Sequence, residues 1–158
     1  MSDGVGVDTN IWEYAFCQPR IAAGADLNRE AKSFLDALLA DADKPLFLSE
    51  YQACEVLEVL RKVGVPGDTR QAVYDLFRSD RCCVVPYSTR ITEEAFSLSR
   101  ASNIHIYDYL VALPLRGLVA VIYTADEHFG HPHFQAIARI ENPLNWVACE
   151  GRGPRPKP

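Results

Sequence analysis

The sequence predicts an α/β protein of three layers, α/β/α, around a central parallel sheet of about five strands. Three observations predict it. Five short apolar runs, at Gly4–Val7, Leu46–Leu48, Cys82–Val85, Val119–Tyr123 and Ala138–Ile140, read as strands covered on both faces. Helical patterns lie between them, and the connections are long enough to be crossovers. The 158 residues, 48% of them hydrophobic, show no internal repeat and no second-domain linker, so residues 1–150 read as one domain with one core.

Each element has its own signal. The first strand ends in Asp8, Thr9 and Asn10 before the apolar pattern resumes at Ile11 and Trp12. From Arg29 to Asp41, residues Ala31, Phe34, Leu35, Leu38 and Leu39 recur on one helix face. Ser49, with Gln52 three residues on, is a capping-box arrangement opening a helix that runs to about Lys62, where Gly64 and Pro66 stop it. Its apolar stripe is Ala53, Val56, Leu57 and Leu60. Further helices are expected at Asp68–Arg78, Thr92–Ser102 and Ile106–Arg116, the last weakened by Pro114. The tail, GRGPRPKP at 151–158, sets Arg152, Arg155 and Lys157 among Gly and Pro and is expected to be disordered.

Composition narrows the function classes. Sixteen Lys and Arg against 21 Asp and Glu leave a formal charge of −5, which repels polyanions unless basic residues cluster or a bound cation inverts the sign locally. No stretch approaches the roughly 18 to 20 apolar residues of a membrane span, and Asp3 with two nearby glycines does not look like a signal peptide. A cytoplasmic protein is expected. The five cysteines, Cys17, Cys54, Cys82, Cys83 and Cys149, form no C-x-x-C pair and read as reduced, mostly buried thiols, with Cys82 and Cys83 as small hydrophobes.

Four carboxylates occupy comparable places. Asp8 closes the first strand, and Asp126 directly follows AVIYT. Asp108 begins the helix of IYDYLVAL. Glu55 lies well off the apolar stripe of its helix and so faces water or a cleft. Gathered in one cleft, such groups repel one another and call for a cation. Hard oxygen ligands select Mg²⁺ or Mn²⁺ over zinc, and such ions attract phosphate and lower the pKa of bound water. Each acid also has a plainer reading. Asp8, Thr9 and Asn10 can cap a helix, Glu55 and Glu58 can pair with Arg61 and Lys62 on a solvated face, and Asp126 can be turn chemistry.

In their order along the chain, VDTNIWEYAF, SEYQACEVLEVLRK, IYDYLVAL and YTADEHF resemble the PIN (PilT N-terminal) domain, a fold of metal-dependent nucleases that includes VapC-type toxins. The likeness runs from about Val5 to Phe129. It implies a PIN-like α/β/α fold and an endoribonuclease whose catalytic acids and metal ligands are Asp8, Glu55, Asp108 and Asp126, holding one or two Mg²⁺ or Mn²⁺ ions. It implies supporting roles for Thr9, Asn10 and Thr124, with Glu50 a weaker competitor of Glu55 and Glu127 an additional acid. Hydrolysis would leave a 5′-phosphate and a 3′-hydroxyl. An RNA substrate, an antitoxin partner and a homodimer are implied as well, and Arg61, Lys62 and Arg116 are candidate contacts to the RNA backbone. Two rivals stand beside this reading: a PIN-like module that binds RNA or protein without cutting, and a zinc hydrolase centred on His128, His131 and His133.

Overall fold

The computed structural model describes residues 3–17, 22–149 and 152–158. Five parallel strands, β1 (Val5–Val7), β2 (Leu46–Ser49), β3 (Cys82–Val85), β4 (Val121–Tyr123) and β5 (Arg139–Glu141), form one sheet in the order β3-β2-β1-β4-β5. The register sets Val5 beside both Leu46 and Val121. Strand order therefore reverses at β1, between β2 on one side and β4 on the other. In open sheets of this kind a crevice opens beyond the carboxyl ends at the reversal, where Asp8 leaves β1.

The helices cover both faces: α1 (Thr9–Phe16), α2 (Ala22–Ala40), α3 (Glu50–Lys62), α4 (Gly67–Phe77), α5 (Thr89–Ser102), α6 (Ile106–Ala112) and α7 (Pro132–Gln135). Period-two alternation in β1 decides which face each residue serves. Val5 and Val7 join Ile11, Trp12, Leu35, Val56, Leu60 and Phe77 in one buried cluster. The other face packs Tyr109, Leu110, Leu115, Ile122, Phe129 and Phe134. Gly6 meets that second layer with no room for a side chain, since a Cβ there would lie 2.9 Å from Leu115 Cδ1. Two buried clusters on opposite faces of one sheet are the three layers that the alternating pattern predicts.

Several details depart from the expectation. The last predicted helix ends at Ala112 and tightens into a 3₁₀ turn over Leu113–Leu115, because Pro114 has no N–H to continue the α ladder. Gln52 does not close a capping box. Ser49 Oγ accepts from Gln52 N at 3.0 Å, but the Gln52 side chain crosses to donate to Val7 O at 2.5 Å, tying α3 to the end of β1. The basic tail is not disordered over Arg152–Pro156: this segment forms β7, antiparallel to β6 (Trp146–Cys149). A two-stranded ribbon has only edge strands, where proline is tolerated. None of Cys17, Cys54, Cys82 and Cys83 is buried. Cys54 and Cys83 are exposed, and Cys82 and Cys83 lie on β3, an edge strand with thin cover. Among the described residues, no helix is long and apolar enough to cross a membrane.

Candidate functional site

The crevice at the end of β1 is organised around Asp8, which is 7% exposed. Its main-chain N–H continues the β1–β4 pairing by donating to Tyr123 O at 2.8 Å. As N-cap of α1 its Oδ1 accepts from Thr9 N at 2.7 Å, while Oδ2 accepts from Thr124 Oγ1 at 2.7 Å. Asp8 is thus a helix cap and a member of the acidic crevice together. Burial pushes its carboxyl up to about 8; the Thr124 bond opposes this, and Asp108 and Asp126 nearby add to it.

Thr124 is the hub of the β4 side. Besides donating to Asp8, its hydroxyl accepts from Asp126 N at 3.0 Å and from Asn10 Nδ2 at 3.4 Å. Asn10 also accepts from Ala125 N at 3.3 Å, so it clips the start of α1 to the end of β4 and reaches Asp8 only through Thr124. Thr9 serves a different acid: its hydroxyl donates to Glu55 Oε2 at 2.5 Å. The other oxygen of Glu55 accepts from Tyr51 OH at 3.0 Å. Thr124→Val removes one donor to a buried carboxylate and one acceptor for a main-chain N–H. It is expected to cost about 1–3 kcal/mol of stability in urea unfolding, with serine restoring most of it.

Asp108, in the first turn of α6, and Asp126, N-cap of the 3₁₀ turn Glu127–Gly130, converge with His128. One ligand atom from each lies within 4.8 Å of the others, the one such group among the described residues. His128 Nδ1 is 3.6 Å from Asp108 Oδ2 and 3.7 Å from Asp126 Oδ1. The turn that brings the imidazole there is pinned by His128 N donating to Asp126 Oδ1 at 2.8 Å. In an octahedral site with ligands at about 2.0–2.1 Å, adjacent donors are roughly 3 Å apart and opposite donors about 4 Å. The two separations from His128 fall between these and the whole group lies within 4.8 Å, so two carboxylates and an imidazole are a donor set that could hold one Mg²⁺ or Mn²⁺ ion.

The placement of the predicted residues is mixed. Asp108 and Asp126 share one point in space. Asp8 adjoins them electrostatically, but both of its oxygens are engaged elsewhere. Glu55 stands in a separate polar arm with Thr9 and Tyr51. Glu50 is exposed at the start of α3, and Glu127 lies 3.7 Å from Arg155 of β7. Arg61 holds Glu58 through two bonds of 2.8 and 2.7 Å, Lys62 lies 3.9 Å from the same acid, and Arg116 bonds Glu94 at 2.7 Å. The three histidines do not form one ligand set: His131 Nδ1 accepts from His133 N, and His133 Nδ1 bonds Tyr109 OH, leaving only His128 with the acids.

Two members of the crevice had weak sequence signals. His128 looked like one imidazole of a turn, and its partners come from α6 and the end of β4. Glu13 lies four residues after Thr9, on the same side of α1, a spacing that points it toward Glu55. Burial and then Glu55 hold its carboxyl above the ordinary range.

No family model and no curated protein sequence matches the chain. Solved structures do. The chain is similar to VapBC2 from Rickettsia felis bound to a DNA fragment from its promoter, with 18% identity and a TM-score of 0.55 over 88% of this chain and 98% of that one. It is similar also to VapC20 from Mycobacterium tuberculosis, a sarcin–ricin-loop-cleaving toxin, with 17% identity and a TM-score of 0.61 over 80% and 92% of the two chains. With its five-stranded parallel sheet between helical layers, the chain has the PIN-like fold of these proteins.

Proposed function

We propose that the protein is a divalent-metal-dependent endoribonuclease. The observation that carries the proposal is the convergence of Asp108, Asp126 and His128 within 4.8 Å, beside buried Asp8, at the carboxyl ends of β1 and β4. The fold shared with VapC20, a sarcin–ricin-loop-cleaving toxin, supports the substrate class. A Mg²⁺ or Mn²⁺ ion bound there supplies activation of water and neutralisation of charge on a phosphodiester.

The chain's own groups have separable tasks. Asp108, Asp126 and His128 would hold the ion. Asp8 would add negative charge behind them once a bound ion favours its ionised form, and Thr124 keeps Asp8 and the Asp126 main chain in fixed relation. Glu55, held by Thr9 and Tyr51 in its own polar arm, has Glu13 near it, a pair that could hold or pass a proton. Arg61, Lys62 and Arg116 can touch the RNA backbone only by leaving Glu58 and Glu94.

A role as the toxin of a toxin–antitoxin pair, with an antitoxin that covers the crevice and a homodimeric assembly, belongs to the same proposal. Light scattering on the purified chain tests the dimer. The activity is tested by incubating labelled RNA with wild type in Mn²⁺, Mg²⁺ or a chelator. The expected result is cleavage in one or both metals, none with chelator, and products ending in 5′-phosphate. Intact RNA in all three, or equal cutting with chelator, overturns it.

A further inference from the structure

Next to the acidic crevice stands an aromatic pair made of Tyr51, which holds Glu55, and Tyr107. The rings of Tyr51 and Tyr107 stack with centroids 5.4 Å apart and planes within 5°. Tyr51, on the first turn of α3, is half-buried and anchored by its bond to Glu55. Burial, then Glu55, Tyr107 and Asp108, all raise its phenol pKa, which places the pair within electrostatic reach of the acids on both sides of the crevice. Tyr107 immediately precedes Asp108 and is 53% exposed although Tyr51 covers one side of its ring. Tyr51 occupies one face of the ring, so a ligand would meet the other.

We propose that the outer face of Tyr107 is a stacking site for an unpaired nucleobase of the RNA, next to the phosphate that enters the crevice. The ligand class rests on the ribonuclease reading. Charge argues for it as well. The chain carries −5 overall, and the three basic residues expected to face the RNA backbone are already paired with Glu58 or Glu94. Without the ion, attraction to phosphate is therefore weak, and contact with the bases has to carry more of the binding. An aromatic face does this without sequence preference, at about 1–3 kcal/mol per base. The ring is preorganised, because Tyr51 fixes its plane and Glu55 fixes Tyr51, so little side-chain freedom is lost when a base arrives.

The test uses a short unstructured RNA carrying 2-aminopurine, whose fluorescence is quenched by stacking, titrated without divalent ion into wild type, Tyr107→Ala, Tyr107→Leu and Tyr107→Trp. Wild type and Tyr107→Trp are expected to quench the probe. Tyr107→Ala and Tyr107→Leu are expected to lose the quench and bind about 5- to 150-fold more weakly, with unchanged thermal unfolding. In Mn²⁺ the same two variants raise KM by a similar factor and leave kcat near wild type. If wild type cleaves RNA but Tyr107→Ala keeps its KM and its quench, the stacking site is refuted while the nuclease stands. If wild type quenches the probe through Tyr107 but never cleaves, the stacking site holds and the nuclease reading fails. An absence of quenching and binding by wild type overturns the stacking site, while the nuclease reading stands or falls on cleavage in Mn²⁺ or Mg²⁺ alone.

Discussion

Asp126→Asn is expected to abolish metal-dependent RNA cleavage, lowering the rate by at least about a hundredfold, because changes to groups merely supporting a metal ligand already cost about 10–100-fold. The substitution is conservative in shape. An amide oxygen can still accept from His128 N, which spans 2.8 Å to Asp126 Oδ1, so the 3₁₀ turn has its anchor. What disappears is one negative charge where Asp108 and His128 converge. Titration calorimetry with Mn²⁺ is expected to show weaker binding in the same variant. Thermal unfolding in chelator is expected to stay near wild type or rise, since a half-buried like-charge repulsion has been removed. Cleavage at the wild-type rate would mean that the chemistry lies elsewhere.

The second large effect concerns pH. The Asp8 carboxyl titrates at about 8 in the folded protein against 3.8 for the ordinary group. Between those values the folded chain keeps a proton that the unfolded chain releases, so metal-free stability is greatest at acid pH and falls as pH rises through 8. The loss is on the order of several kcal/mol across the window. Asp8→Asn carries no such proton. Urea unfolding in chelator is expected to show wild type weakening from pH 5 to pH 9 while Asp8→Asn weakens far less, the two curves crossing. Mn²⁺, which favours the ionised carboxylate, is expected to stabilise wild type more at pH 9 than at pH 6. Parallel curves for the two proteins would contradict the buried, protonated state of Asp8.

Much of the frame was legible because it rests on local patterns. The strand around Val5–Val7 shows as a short apolar run, and its abrupt polar end marks where the chain leaves the sheet. Ser49 signals the start of α3, and Pro114 signals where α6 must change character. Asp8, Asp108 and Asp126 were legible as charges at element ends, where side chains escape the core. The failures share one cause: they depend on partners distant in sequence. Gln52 looks like a local cap, yet Val7 O, across 45 residues, competes successfully for its amide. His128 joins Asp108 through a 3₁₀ turn that has no periodicity to reveal it. The Pro- and Gly-rich tail has the composition of a disordered end, and composition cannot register that β6 offers it an edge to pair with.

The bond between Thr124 and Asp8 closes a separation of 116 residues. During synthesis, β1 emerges before β4 and must wait beside β2 for its other neighbour, since β4 follows it by more than a hundred residues. Until then Asp8 has neither its hydroxyl donor nor Asp126 across from it. If the protein is a ribonuclease, its cutting centre is assembled only once β4 has been made, and a polypeptide that stops short of β4 lacks it.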